Sequence, residues 1–172
     1  MLNDGISLLN RREYWLRDKV VSPLRDQFDF IIFDCSPNWN RLTTNALCTC
    51  DQLISPIECK INNFKNLEVF QALVSEIKTD LMLTFKSQYV PTRYSKGKKL
   101  GHEILEWYQE NIPNCTRGFI RESIESEEAI ALGQSIVEYR PASKCADDFK
   151  AVFEEIAKCI NCLLYTSPSP RD

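Results

Sequence analysis

A nearly continuous apolar run dominates the hydrophobic pattern of the chain. Five of the six residues from Phe28 to Phe33 are apolar, and such a run is typical of a strand buried on both faces of a parallel sheet. The run ends at Asp34, and Pro37 follows shortly after. Open α/β sheets bind ligands at the C-terminal ends of their central strands, so this segment is predicted to form part of a binding site.

The remaining periodicity predicts helices and strands in alternation. Helical spacing covers residues 7–27, 40–50, 100–111, 125–132 and 143–164, and Asn62 or Asn63 is predicted to start a long amphipathic helix. Strands are predicted over 53–57, 82–90 and 116–121, and an extended segment over 135–141. This order predicts an α/β fold in which a mostly parallel sheet is flanked by helices.

Composition narrows the class of protein. A net charge of −3 argues against a generally basic nucleic-acid binder, so any contact with DNA must come from a local patch. No apolar stretch reaches the roughly 18 residues that a membrane span needs, and no signal-peptide pattern is present, which predicts a soluble, cytoplasmic protein. We expect one domain over 1–164 and a disordered or non-native tail over 165–172, because Pro and Ser there cannot continue a helix.

Eight cysteines are scattered along the chain. Cys35, Cys48 and Cys59 lie in or beside apolar runs, which predicts reduced, buried thiols. The spacings Cys48-Thr49-Cys50 and Cys159-Ile160-Asn161-Cys162 do not indicate a zinc site, since the first is too tight, the second lies in a helical pattern and the chain has a single histidine.

Several motifs together resemble one family. They are Asp34-Cys35-Ser36-Pro37, Thr44-Asn45-Ala46-Leu47, Asp51, Ile54-Ser55-Pro56, Glu127-Glu128-Ala129 and Gly133-Gln134-Ser135-Ile136. From about Glu13 to Ile160 the chain resembles the ParA/MinD superfamily of deviant Walker ATPases, and in particular the ParA or Soj partition ATPases. The resemblance implies a P-loop NTPase fold, ATP and Mg²⁺ as cofactors, a homodimer that binds DNA non-specifically at the nucleoid, and a ParB-type partner.

One expected motif is missing. The family's Lys-Gly-Gly-x-Gly-Lys-Thr phosphate loop, which cradles phosphates with backbone N–H groups, does not occur in this sequence, and the segment with the family's catalytic Asp is missing too. We therefore interpret the chain as the C-terminal part of such an ATPase, truncated at its N-terminus. A chain of this kind is expected not to hydrolyse ATP.

Candidate site residues follow from the resemblance. It implies that Asp34 holds Mg²⁺ through water, although Ser36 replaces the family's usual Pro. It also places Pro91, Thr92 and Arg121 at the adenine-contacting loops, while an ordinary turn proline and a solvent-exposed arginine are the alternative.

A basic loop is the candidate DNA contact. Arg93, Lys96, Lys98 and Lys99 are four cations within seven residues of an otherwise acidic chain. Such a cluster can neutralise DNA phosphates, whereas the alternative is a solvated loop. Glu125 weakens the DNA interpretation, since many relatives have an Arg there.

Two other functions stay open. A MinD-like membrane switch that positions division proteins would favour a basic amphipathic C-terminal helix, but the acidic residues of the last predicted helix disfavour an anionic membrane. The other alternative is a non-catalytic interaction protein that begins at Met1.

Overall fold

The computed structural model describes residues 12–36 and 38–166. It has the predicted α/β character, with two strands and a series of helices in these ranges. The strands are β1 (Gln52–Glu58) and β2 (Lys86–Thr92), and the α-helices are α1 (Ser22–Leu24), α2 (Arg41–Leu47), α3 (Asn63–Asp80), α4 (Lys99–Asn111), α5 (Ile124–Ala131), α6 (Ile136–Tyr139) and α7 (Lys144–Thr166). A 3₁₀ turn (Arg12–Tyr14) and a π-helix (Arg17–Val21) precede α1.

The two strands are neighbours and run parallel. At one end of the pair, Lys86 N–H of β2 donates to Asp51 O, just before β1, at 3.1 Å; at the other end, Cys59 N–H, just after β1, donates to Thr92 O of β2 at 2.9 Å. The predicted strand over 116–121 is not a full strand. Its ends make isolated parallel bridges, Cys115 with Tyr89 and Arg121 with Tyr94. The parallel order predicted for the sheet is thus confirmed, while its third member is irregular.

The chain divides into two compact units. The first contains the described residues up to Leu53 together with Gln71–Lys86. Asn45, 1% exposed, organises this unit: its amide donates to Arg12 O at 2.8 Å and Arg41 O at 2.9 Å, and its carbonyl accepts from Leu16 N–H at 3.0 Å. Because every polar atom of this buried side chain has a partner, Asn45 fixes the N-terminal helical turns against α2.

The predicted central strand at Phe28–Phe33 is wrong for this structure. Residues 28 and 30–36 have no regular secondary structure, and Phe28, Phe30 and Ile32 are 58%, 62% and 89% exposed. An apolar run becomes a buried strand only when neighbouring strands accept its backbone bonds and helices cover its faces. The described residues provide no such neighbour for this segment. Cys35, predicted to be buried, is exposed for the same reason.

The second unit comprises Ile54–Phe70 and the chain from Ser87 onward. Its main core combines residues of β1, β2, α3 and α4, namely Ile57, Cys59, Leu67, Tyr89, Ile104, Leu105, Tyr108 and Ile112. Tyr108 is fully buried and its hydroxyl donates to Glu58 O at 3.1 Å. Burial raises the pKa of Tyr108 to about 12 and that of Cys59 to about 12, so both stay neutral in this core.

Two element boundaries differ from the sequence prediction. β2 begins at Lys86 instead of Met82, because Met82 has φ of 52° and this left-handed conformation ends the turn after α3. The segment 135–141 is not extended but contains α6. Ser135 Oγ accepts from Glu138 N–H at 3.2 Å and Glu138 Oε2 accepts from Ser135 N–H at 3.0 Å, which is a capping box.

The C-terminal helix is longer than expected. α7 runs to Thr166, so Tyr165 and Thr166 are helical although they were assigned to the tail. The rest of that predicted tail, and residues 7–11 of the first predicted helix, lie outside the described residues. In the part of the chain that the structure describes, no helix is both long and apolar enough to span a membrane.

Candidate functional site

A surface cavity of about 500 Å³ lies at the C-terminal end of β2, within the second unit. Residues that follow β2, including Tyr94 and Lys96, form one wall. Phe119, Arg121 and the start of α5 at Ile124 and Glu127 form the rest, together with Glu122. The cavity therefore lies at the edge where parallel strands end, which is where open α/β sheets bind ligands.

A parallel bridge holds two aromatic rings at this edge. Tyr94 N–H donates to Ile120 O at 3.2 Å, and Glu122 N–H donates to Tyr94 O at 2.9 Å. The rings of Tyr94 and Phe119 are 4.7 Å apart between centroids and tilted by 58°. A paired aromatic surface of this kind can pack against a flat apolar or aromatic ligand.

Arg121 is the predicted nucleotide-site residue that the structure brings to the cavity, which Lys96 of the basic loop also lines. Its guanidinium makes a bidentate pair with Asp148 of α7, with Nη2 2.7 Å from Oδ1 and Nε bonded to Oδ2. The Arg121 backbone N–H also donates to Asp148 Oδ2 at 3.1 Å. The hydrogen bonds that Arg121 donates to the Asp148 carboxylate raise the pKa of Arg121. The Arg121 side chain is 31% exposed, and its Nε and Nη2 atoms are both paired with Asp148.

A second carboxylate of α7 fixes the same extended segment. Glu155 Oε1 accepts from Arg117 N–H and its Oε2 from Gly118 N–H, both at 2.9 Å. Asp148 and Glu155 are seven residues apart, two helical turns, so they lie on one face of α7. This face holds the backbone that carries Phe119 and Arg121.

Pro91 and Thr92 lie within β2 and do not line the cavity. Pro91 is fully buried, and its carbonyl accepts from Ile120 N–H at 2.9 Å. Thr92 is half-buried and uses its carbonyl for Cys59 N–H. Both residues position the strand end, while Tyr94 and Lys96 beyond them contribute the cavity wall.

The basic loop is partly neutralised by neighbouring carboxylates. Arg93, with φ of 53°, has its guanidinium 3.3 Å from Glu122 and 3.9 Å from Glu58. Lys99 lies 3.5 Å from Glu103 one helical turn away.

Lys96 and Lys98 are exposed and form no ion pair with another residue in the described ranges. Exposed pairs are weak, so all four cations stay accessible, but Lys96 and Lys98 are the least compensated.

Asp34 belongs to the first unit and is exposed in the irregular segment after Phe30. A carboxylate is the ligand type that Mg²⁺ prefers. However, no group of three or more His, Cys, Asp or Glu side chains in the described ranges is placed to hold a metal ion. A single carboxylate cannot complete an octahedral shell, so these residues offer one Mg²⁺ ligand and not a complete site.

Sequence reasoning missed Tyr94, Phe119 and Asp148 as site residues. Tyr94 directly follows the predicted nucleotide and DNA residues, so its place after a strand was a usable signal. No sequence signal marks Phe119 or Asp148, because Asp148 of α7 lies 27 residues after Arg121 in the sequence and only folding brings the two together.

Comparison with known proteins identifies the family. A family model described as "AAA domain" (AAA_31) matches residues 2–87, half of the chain. The chain belongs to this ParA/MinD-type AAA domain family. The expected resemblance is thereby confirmed for the family as a whole.

Two curated relatives of this AAA domain protein act in partition and in cell division. The chromosome partitioning protein ParA of Myxococcus xanthus is 24% identical over 89% of this chain and 55% of its own length. The cell division protein PomZ of the same organism is 26% identical over 84% of this chain and 46% of its own length. The chain thus spans about half the length of the curated relatives it matches.

Among solved structures, cobyrinic acid a,c-diamide synthase from Mycobacterium smegmatis, with bound ATP analog and magnesium, superimposes with a TM-score of 0.62. It is 22% identical and the match covers 75% of this chain and 53% of that protein. This likeness confirms that the chain has part of an α/β P-loop NTPase fold.

Proposed function

We propose that this chain is part of a ParA/Soj-type partition ATPase, a homodimeric switch that binds DNA non-specifically in its ATP state. A ParB-type centromere-binding partner stimulates turnover, and the protein acts at the nucleoid in the cytoplasm. The cavity at the end of β2 is the observation that carries this proposal, since it lies at the ligand-binding edge of a parallel sheet.

The cavity accommodates the base of a nucleotide. Its volume of about 500 Å³ falls within the range of small-molecule sites, and the Tyr94 and Phe119 rings provide an aromatic surface. The ATP analog and magnesium bound by the M. smegmatis synthase support the use of nucleotide by a protein of this fold. Pro91 and Thr92 act through their backbone, which holds the strand end beside the cavity.

This sequence contains no motif that would bind the phosphates of ATP. No glycine-rich phosphate loop occurs among its five glycines, and Asp34 is a lone carboxylate in its segment. When bound, Mg²⁺ would neutralise the charge that develops on the transferred phosphoryl group. Asp34 would orient a water molecule in the coordination shell of the Mg²⁺ ion. The 172-residue chain alone therefore binds ATP weakly and does not hydrolyse it.

The least compensated cations of the basic loop, Lys96 and Lys98, are proposed as DNA contacts. Both are exposed and each can neutralise a phosphate irrespective of base sequence. Arg93 and Lys99 contribute less, since each has a carboxylate within 4 Å. Non-specific binding of this kind suits a protein that coats DNA.

The test begins with the DNA upstream of the Met1 codon. An in-frame Lys-Gly-Gly-x-Gly-Lys-Thr codon run is expected, and its absence would favour the non-catalytic interaction protein. The protein translated from that upstream frame, called the longer protein below, is expected to hydrolyse ATP, and the 172-residue chain is not.

The role of Asp34 is tested in the longer protein. Asp34→Ala should abolish ATP turnover and leave the circular dichroism spectrum unchanged. Asp29→Ala, which removes an exposed carboxylate of the same segment, should retain turnover. Normal turnover of Asp34→Ala would contradict the magnesium role.

A cell-division positioning ATPase is the second candidate, favoured by the match to PomZ. Deletion of the gene separates the two. Loss of partition gives cells without DNA and normal division sites, whereas loss of positioning gives misplaced or missing division sites with DNA in every cell.

A further inference from the structure

Asp148 accepts three hydrogen bonds from one residue. Its carboxylate accepts from the Arg121 backbone N–H and from Nε and Nη2 along one edge of the guanidinium, while only 11% of the Asp148 side chain is exposed. A bidentate pair of this geometry uses an edge with which an arginine would bind a phosphate and neutralises the guanidinium charge. Arg121 thus lines the cavity with its charge already compensated.

The rest of the wall cannot easily rearrange to release Arg121. Glu155 holds the Arg117 and Gly118 N–H groups from the same face of α7, so the extended segment is fixed at both ends. With Arg121 paired to Asp148 and Glu122 paired to Arg93, the remaining charged groups of the cavity lining are Lys96 and Glu127, one of each sign. The lining therefore has no excess positive charge to attract an anion.

We propose that Asp148 is a positioning residue that withholds Arg121 from anion binding, so that the cavity selects an uncharged planar ring over a phosphate group. The inference rests on the proposed nucleotide function and assigns its specificity to a residue outside the cavity lining. Arg121 then serves as a fixed part of the wall, beside the aromatic pair, instead of as a phosphate ligand.

Titration of the 172-residue chain with adenosine and with inorganic pyrophosphate tests this inference. The wild-type chain should prefer adenosine to pyrophosphate. Asp148→Asn should bind pyrophosphate about tenfold more tightly than wild type, because Arg121 gains unpaired charge-assisted donors. Asp147→Asn, the same charge change at an exposed neighbour, should behave as wild type. The double variant Arg121→Gln/Asp148→Asn should lose the gain, which assigns it to Arg121.

The two proposals fail in distinguishable ways. If the chain does not bind adenosine but Asp148→Asn still binds pyrophosphate more tightly than wild type, the nucleotide function is contradicted. The positioning role of Asp148 is then retained. A folded Asp148→Asn variant without any gain overturns the inference. If that variant does not fold, the Arg121 Nε–H resonance of the wild-type chain decides: it should not shift on addition of pyrophosphate, and a saturable shift overturns the inference.

Discussion

Gly118 packs so closely on Val152 that a Cβ atom at position 118 would lie 2.9 Å from Val152 Cγ2. Real Cβ atoms do not approach a side chain this closely, so Gly118→Ala must push α7 away from the extended segment. We expect the free energy of unfolding to fall by about 1–3 kcal/mol, as for other overpacked sites. Guanidinium unfolding followed by circular dichroism measures the change.

Gly97 provides the matched control. A Cβ atom built there has nothing within 4 Å, so Gly97→Ala should change the free energy of unfolding by less than about 0.5 kcal/mol. Equal stability of the two variants would contradict the close packing of the segment on α7.

Removal of the Asn45 side chain should destabilise the first unit. Asn45→Ala removes three part-buried hydrogen bonds and leaves a cavity at a side chain that is 1% exposed, and we expect a loss of about 2–4 kcal/mol. Asn66→Ala, at an exposed position of α3, is the control and should differ from wild type by less than about 0.5 kcal/mol. Hydrogen exchange should show faster exchange at Leu16 N–H in Asn45→Ala, and unchanged exchange there would rule out the proposed bracing role.

The basic loop is testable through the salt dependence of DNA binding. In a form of the protein that binds DNA, Lys96→Gln/Lys98→Gln should weaken binding to every sequence alike. The slope of log K against log salt should fall by roughly 0.9 for each lost phosphate contact. Lys65→Gln/Lys158→Gln removes the same charge from exposed sites on α3 and α7 and should leave the slope unchanged. Identical slopes for both double variants would show that the loop is only solvated.

Several helix ends follow from residues nearby in the sequence. Asn40 caps α2 by accepting from Leu42 and Thr43 N–H groups, and Gly133 adopts φ of 68° after α5, both as is typical of their residue types. The spacing Ser135-x-x-Glu138 is also typical of a capping box, although the sequence prediction for this segment is an extended conformation. These features depend on neighbours within four residues, which a sequence displays directly.

Non-local features could not be predicted in the same way. The apolar pattern at Phe28–Phe33 gives a strand only in the presence of partner strands, and pattern alone does not supply them. Likewise, the family resemblance implies Arg121 as a site residue at the end of a predicted strand, but its pairing with Asp148 depends on how α7 packs against that segment. The cavity itself combines residues from Tyr94 to Glu127, whose proximity is a result of folding.

Nucleotide-dependent DNA binding is the property that separates a partition switch from an ordinary nucleotide-binding or interaction domain. The decisive measurement is the affinity for a mixed-sequence DNA duplex, by fluorescence anisotropy, of the protein carrying a phosphate loop ahead of this sequence. With ATP and Mg²⁺ the affinity should be at least about tenfold higher than with ADP, and it should fall steeply with salt. Equal affinity with ATP, with ADP and without nucleotide, or no DNA binding at low salt, would contradict the proposed function.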